Sequence, residues 1–189
     1  QGRERKMKKS FAVAGILSAF VAGGAMADLM YSESFESYTT ASGYYVDEQG
    51  GDSDHWLFNM DDGHTVNGDG FSTYYMNTST GTGLADGDYF GVTDYASSAM
   101  GAYYDGVQGY QMSDVDGTVE VHFTGYEGVA DLVTLAIWVQ DTNFESTEPN
   151  VDFLSFHYGD DDTLAYYGEL DLEAMGDGGT WIYMEFTPE

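Results

Sequence analysis

The strongest constraint on what this chain can fold into is its punctuation. Short runs rich in Val, Phe, Tyr and Trp are separated by Gly, Asp, Ser, Thr and Asn, and Pro occurs only at 149 and 188. β-Branched and aromatic runs of strand length bounded by turn residues specify strands rather than helices. In the run 118–124, Val119, Val121 and Phe123 alternate with Glu120, His122 and Thr124, so one face is apolar and the other polar. The run 132–140 is almost continuously apolar. It places Val133, Leu135, Ile137 and Val139 on one side and Thr134, Ala136 and Trp138 on the other, the pattern of a central strand buried on both faces.

Runs at 151–158, 163–167 and 181–186 complete a C-terminal set, separated by Gly159-Asp160-Asp161-Asp162 and Met175-Gly176-Asp177-Gly178-Gly179. In the looser N-terminal half the expected strands are 29–35, 55–60, 71–76 and 89–92, with loops at 61–70 and 77–88. At most one short helix is expected, near 170–175. The expectation is an all-β, antiparallel two-sheet sandwich of jelly-roll type.

The first 27 residues read differently. Arg3, Arg5, Lys6, Lys8 and Lys9 form a basic segment, 11–21 is apolar, and Ala25-Met26-Ala27 offers small residues at a cleavage site. This is the layout of a secretory signal. The apolar stretch is shorter than the roughly 20 residues a spanning helix needs. Met7 is the natural initiator, which leaves 1–6 as upstream residues. The division is therefore upstream residues and signal at 1–27 and a single domain at 28–189. The destination is extracellular or periplasmic, secreted or at the cell surface.

All five basic residues precede position 10, and of the 33 acidic residues only Glu4 lies before Asp28, so the part from Asp28 onward has 32 acidic residues and no Lys or Arg. Nucleic acid and anionic membranes need basic residues to displace counterions, so neither is an expected partner. Such a charge repels itself unless salt or a bound cation screens it. There is no cysteine, hence no disulfide and no lipid-attachment thiol. A length of about 160 residues suffices for one domain with its own core.

Acidic loops offer one line of chemistry: Asp52 with Asp54, Asp61-Asp62 with Asn67 and Asp69, Asp86 with Asp88, Asp114 with Asp116, and 160–162. Calcium takes six to eight oxygen ligands, which clustered carboxylates on Gly-rich loops can supply, and a structural calcium is expected on that ground. No EF-hand loop is present, and the plainer reading is solvated acidic turns.

Aromatic rings offer the other. Sugars present flat C–H faces that stack on Tyr and Trp. Trp138 in one strand, and Trp181 and Tyr183 in another, lie opposite the aliphatic rows, and with Glu120 and His122 they are the candidate carbohydrate-binding set. The plainer reading is that these rings pack beneath loops. Adjacent tyrosines at 44–45, 74–75, 103–104 and 166–167 would each send one ring inward and one outward from a strand. Lacking Lys and Arg, a glycan site here suits a neutral polysaccharide.

No nucleophile elbow, His-Glu-x-x-His, phosphate-binding loop or cysteine nucleophile is present, and His55, His64, His122 and His157 lack metal-ligand spacing. The chain does not read as an enzyme.

Glu33-Ser34-Phe35-Glu36-Ser37 followed by Trp56, and later Gly87-Asp88-Tyr89-Phe90-Gly91-Val92, resemble galactose-binding-like jelly-roll carbohydrate-binding modules and the secreted bacterial surface β-sandwiches that share their architecture. The resemblance covers about the first third of the exported part. It implies that a first-strand glutamate helps bind a structural calcium, which puts Glu36 and Glu33 at the metal. That family usually closes on a last strand with an acidic ligand, whereas here the sequence stops soon after 181–186, implying permutation or a truncated C-terminus. The expectation is a secreted, non-catalytic glycan-binding or adhesion module for a neutral polysaccharide or extracellular matrix. The alternatives are a structural matrix or biofilm surface protein without a defined ligand, or a polysaccharide-active enzyme.

Overall fold

A computed structural model describes residues 10–13, 17–23, 26–40, 54–59, 63–76, 89–113, 117–124, 132–140, 146–147, 150–151, 153–158, 165–172 and 179–187. Every regular element among them is a strand, every pairing is antiparallel, and no helix occurs. The strands are β1 (Ser10–Val13), β2 (Leu17–Gly23), β3 (Met26–Glu33), β4 (His55–Trp56), β5 (Phe71–Met76), β6 (Tyr89–Thr93) and β7 (Gly109–Ser113), followed by β8 (Thr118–Phe123), β9 (Leu132–Val139), β10 (Ser146–Thr147), β11 (Asn150–Val151), β12 (Phe153–Tyr158), β13 (Ala165–Asp171) and β14 (Thr180–Phe186).

Seven strands form one sheet in the order β3-β2-β9-β1-β7-β6, with β14 on the far side of β9. β9 is its hub. Along one edge it pairs with β14 from Thr180↔Val139 to Phe186↔Val133, and along the other with β2 at Leu132 to Thr134 and with β1 at Trp138. Its apolar sequence suits this position. β4-β5-β8 and β12-β13 form separate sheets, and β10-β11 a short hairpin.

Three apolar clusters join these sheets. Ile137 and Val139 of β9, with Ile182 and Met184 of β14, pack on Phe156 and Leu154 of β12 and on Leu170 and Leu172 at the end of β13. Phe71, Val121 and Phe123 of β5 and β8 meet Val92 and Tyr110 of β6 and β7, together with Phe35. Leu57, Val66, Tyr75 and Phe90 make the third. Each fully buried large side chain here removes roughly 1.5–3 kcal/mol worth of apolar surface from water.

Three expectations change. The one short helix allowed for near 170–175 does not start at Leu170: Leu170 and Asp171 pair with Leu154 and Phe153 and end a strand, because cross-strand burial of Leu170 and Leu172 outweighs local propensity, and 173–175 lie outside the described residues. β7 lies in a stretch that had no strand assigned. Of the expected strand at 55–60, the described residues 55–59 are regular at His55–Trp56, although the Leu57 N–H still donates to the Thr73 carbonyl at 2.8 Å.

Phe35 has a φ of 65°, in the left-handed region that a bulky side chain rarely enters. Its N–H donates to Glu33 Oε1 at 2.6 Å, and its ring packs against Phe71 at 5.2 Å and Tyr110 at 5.9 Å. Burial and the Glu33 carboxylate together hold this turn.

Candidate functional site

The pairing of β9 with β14 fixes a row of side chains. Trp181 stands opposite Trp138, Tyr183 opposite Ala136, and Glu185 opposite Thr134, all on the face away from the apolar cluster that holds Ile137, Ile182 and Met184. Trp138 and Trp181 meet edge to face at 5.8 Å, and Trp181 and Tyr183 lie nearly parallel, 20° apart, at 6.4 Å. The small Ala136 leaves Tyr183 standing clear, 59% exposed, while Trp138 beside Trp181 is only 5% exposed.

A fourth ring comes from the segment between β6 and β7. Tyr104, 55% exposed, lies 5.1 Å from Tyr183 and 6.3 Å from Trp181. Its segment is held at several points. Glu36 Oε1 accepts the N–H groups of Val107 at 2.8 Å and Gln108 at 2.9 Å. The Gln108 side-chain amide donates to the carbonyls of Phe35 and Tyr38. Tyr103 donates its hydroxyl to the carbonyls of Tyr95 at 2.7 Å and Thr93 at 3.0 Å, and burial, aided by Asp94, pushes that phenol well above its ordinary value. Gln140 Oε1 accepts from Ser97 Oγ at 2.7 Å and from the Trp138 indole N–H at 3.3 Å, tying the segment to β9.

Of the five candidate carbohydrate residues, the structure brings together Trp138, Trp181 and Tyr183. Glu120 and His122 lie on β8 in the three-stranded sheet, where His122 Nε2 is 2.8 Å from Glu120 Oε2 and the imidazole is 5.0 Å from the ring of Trp56. Their neighbours are Trp56 and Tyr74, not the β9–β14 row.

Glu33 and Glu36, the candidate metal residues, are engaged within the protein. Glu33 is buried, with Oε1 accepting from the Phe35 N–H and Oε2 from the Tyr38 hydroxyl at 3.1 Å. Among the described residues no group of three or more His, Asp or Glu side chains is arranged to hold an ion. Most of the acidic loop residues, among them Asp61, Asp62, Asp86, Asp88, Asp114, Asp116 and 160–162, lie outside the described residues.

Sequence reasoning missed Tyr104, Trp56 and Tyr74 as site residues, although the paired tyrosines pointed towards two of them. Tyr75 is fully buried while Tyr74 lies on the opposite face beside Trp56, and Tyr103 turns back on its own segment while Tyr104 projects. The pair at 44–45 is outside the described residues. Comparison with protein-family models, curated proteins and solved structures finds no match.

Proposed function

We propose that the chain is a secreted, non-catalytic module of β-sandwich, jelly-roll-like architecture that binds a neutral polysaccharide through Trp181, Tyr183 and Tyr104, with the buried Trp138 bracing Trp181 edge to face. One observation carries this reading: two strands and a pinned connecting segment bring four aromatic rings into one partly exposed cluster. Exposed rings supported from below stack on sugars at low cost in conformational freedom. The sandwich reading is supported by the apolar cluster shared between β9–β14 and β12–β13, and by the clusters shared between β5–β8 and β6–β7. Export is supported by the leader-like 1–27, and a neutral ligand by the absence of Lys and Arg after position 9.

The structural-protein reading has one observation in its favour: the deep burial of Trp138 and its link through Gln140 to Ser97 also serve simply to dock a loop. Native affinity electrophoresis through gels of neutral or acidic polysaccharides, with calcium and with chelator, separates the readings. Binding predicts retardation by a neutral glycan that Tyr183→Ala and Trp181→Ala abolish, with the glycan's chain length unchanged afterwards. Unretarded migration of the folded protein in every gel sinks the binding reading, and a shortened glycan replaces it with an enzyme. A requirement for calcium would show that the binding form carries the metal.

A further inference from the structure

A second aromatic surface lies on the sheet β4-β5-β8. Trp56 pairs with Tyr74, and Tyr74 with Glu120, so the three side chains form a row across three strands. The opposite face carries His55, Tyr75 and Val119, and Tyr75 and Val119 enter an apolar cluster. The outer row therefore points away from that core. Trp56 is 46% exposed, and its indole is walled by Tyr74 at 4.9 Å and 61° and by His122 at 5.0 Å and 74°. The exposed Glu120 carboxylate lies beside them, 2.8 Å from His122.

In this row a carboxylate stands among the rings, opposite Tyr74 and 2.8 Å from His122, whereas in the β9–β14 row Glu185 lies at the end beyond Tyr183. Aromatic faces carry negative potential and attract cations, and a neighbouring carboxylate supplies the counter-charge. The excess of 33 acidic over 5 basic residues makes the protein's field attractive to cations and repulsive to anions. All five basic residues precede position 10, so no Lys or Arg of the domain competes for Glu120. The row crosses two inter-strand spacings, roughly 10 Å, which suits consecutive sugar rings better than one isolated charge.

We propose that Trp56, Tyr74 and Glu120 form a second binding surface for a polysaccharide bearing free amino groups, with the protonated amine at Glu120 and the sugar rings on Trp56 and Tyr74. It is separate from the neutral-glycan surface and stands or falls independently of it.

The test compares binding of a glucosamine hexamer and an N-acetylglucosamine hexamer to the full chain at neutral pH and low ionic strength. The two ligands share a backbone and differ in the amine. The glucosamine hexamer is expected to bind at least about tenfold more tightly, a preference of about 1.4 kcal/mol. Glu120→Gln, an exposed and isosteric change, is expected to remove the preference, and Trp56→Ala to weaken the glucosamine hexamer severalfold. Glu169→Gln, which removes one exposed charge from β13, is the control and should leave it intact. Equal losses in Glu120→Gln and Glu169→Gln would mean diffuse attraction to an acidic surface and overturn the proposal. It is overturned equally by a lack of preference for the amine, or by an oligolysine that binds at Glu120 while the glucosamine hexamer does not.

Discussion

The indole of Trp138 and the indole of Trp181 are directly opposed across β9 and β14 and touch edge to face at 5.8 Å. Their position depends on Gly179, which enters β14 with a φ of +75°, and where an added Cβ would run into the Trp138 ring. Gly179→Ala therefore combines backbone strain of about 1 kcal/mol with displacement of a packed ring costing about 1–3 kcal/mol. The expected result is a loss of about 2–4 kcal/mol in denaturant unfolding, with altered tryptophan fluorescence and weaker glycan retardation. Unchanged stability and fluorescence would show that the two indoles are not coupled through this turn.

Glu36 connects the turn after β3 to the segment that carries Tyr104. Its Oε1 accepts two backbone N–H groups, and at Gly106, where φ is +70°, an added Cβ would meet the same carboxylate. Glu36→Ala leaves Val107 and Gln108 to water, so the expected cost in stability is only about 1 kcal/mol. Binding should suffer more, because Tyr104 loses its fixed position over Tyr183. A fall in neutral-glycan affinity of severalfold, with Glu36→Gln close to wild type, is the expected pattern. Equal, small effects on stability alone would remove Tyr104 from the site. If a calcium ion is held by Glu36, chelator should lower the stability of the wild type and leave Glu36→Ala unchanged.

The legible parts of the fold were those whose alternation is complete within one strand. Val119, Val121 and Phe123 against Glu120 and His122, and Ile137 and Val139 against Trp138, assign their faces without a partner in view. β7 was not legible. Gly109, Gln111 and Ser113 interleave Tyr110 and Met112 in five residues, and the burial of that strand comes from β6 and from the Phe35–Phe71–Tyr110 cluster, which are distant in sequence. That Glu120 and His122 lie in a different sheet from Trp138 was not legible for a related reason: alternation says which face a residue occupies within its strand, and says nothing about which strands share a sheet. The Tyr104 position depends on bonds from Glu36, about 70 residues away, which no local pattern encodes.

The leader reading makes a prediction of its own, because residues 10–23 are paired in the large sheet. β1 lies between β7 and β9, and β2 between β3 and β9. Cleavage after Ala27 would cut within β3 and vacate both places, leaving ladder groups of β7 and β9 unpaired. The exported protein is expected to begin at Asp28, as read by its mass. Amides of 110–113 and 132–134 that face the vacated places should exchange faster than in the full chain. An exported chain that keeps residues 10–23 with those amides protected would make the segment part of the fold and end the signal reading.

Alkaline pH reaches the other end of β3. Burial first, then the nearby Glu33 carboxylate and Tyr38, push the Tyr31 phenol up to about 12, and Tyr38 is raised by the same burial and the same carboxylate. The phenolate is thus disfavoured in the folded state relative to an unfolded tyrosine that titrates near about 10. The sign follows from linkage: stability from neutral Tyr31 is complete below about pH 10 and is lost as pH climbs through about 12. Tyr31→Phe removes the titrating group along with its 3.3 Å bond to the Gly70 carbonyl. The variant should begin slightly less stable at neutral pH and then decline less steeply than wild type between about pH 10 and 12. Tyrosinate absorbance recorded alongside denaturant midpoints measures both effects. Parallel decline of the two chains would show that Tyr31 ionises without cost and that the Glu33–Tyr38 turn does not resist its charge.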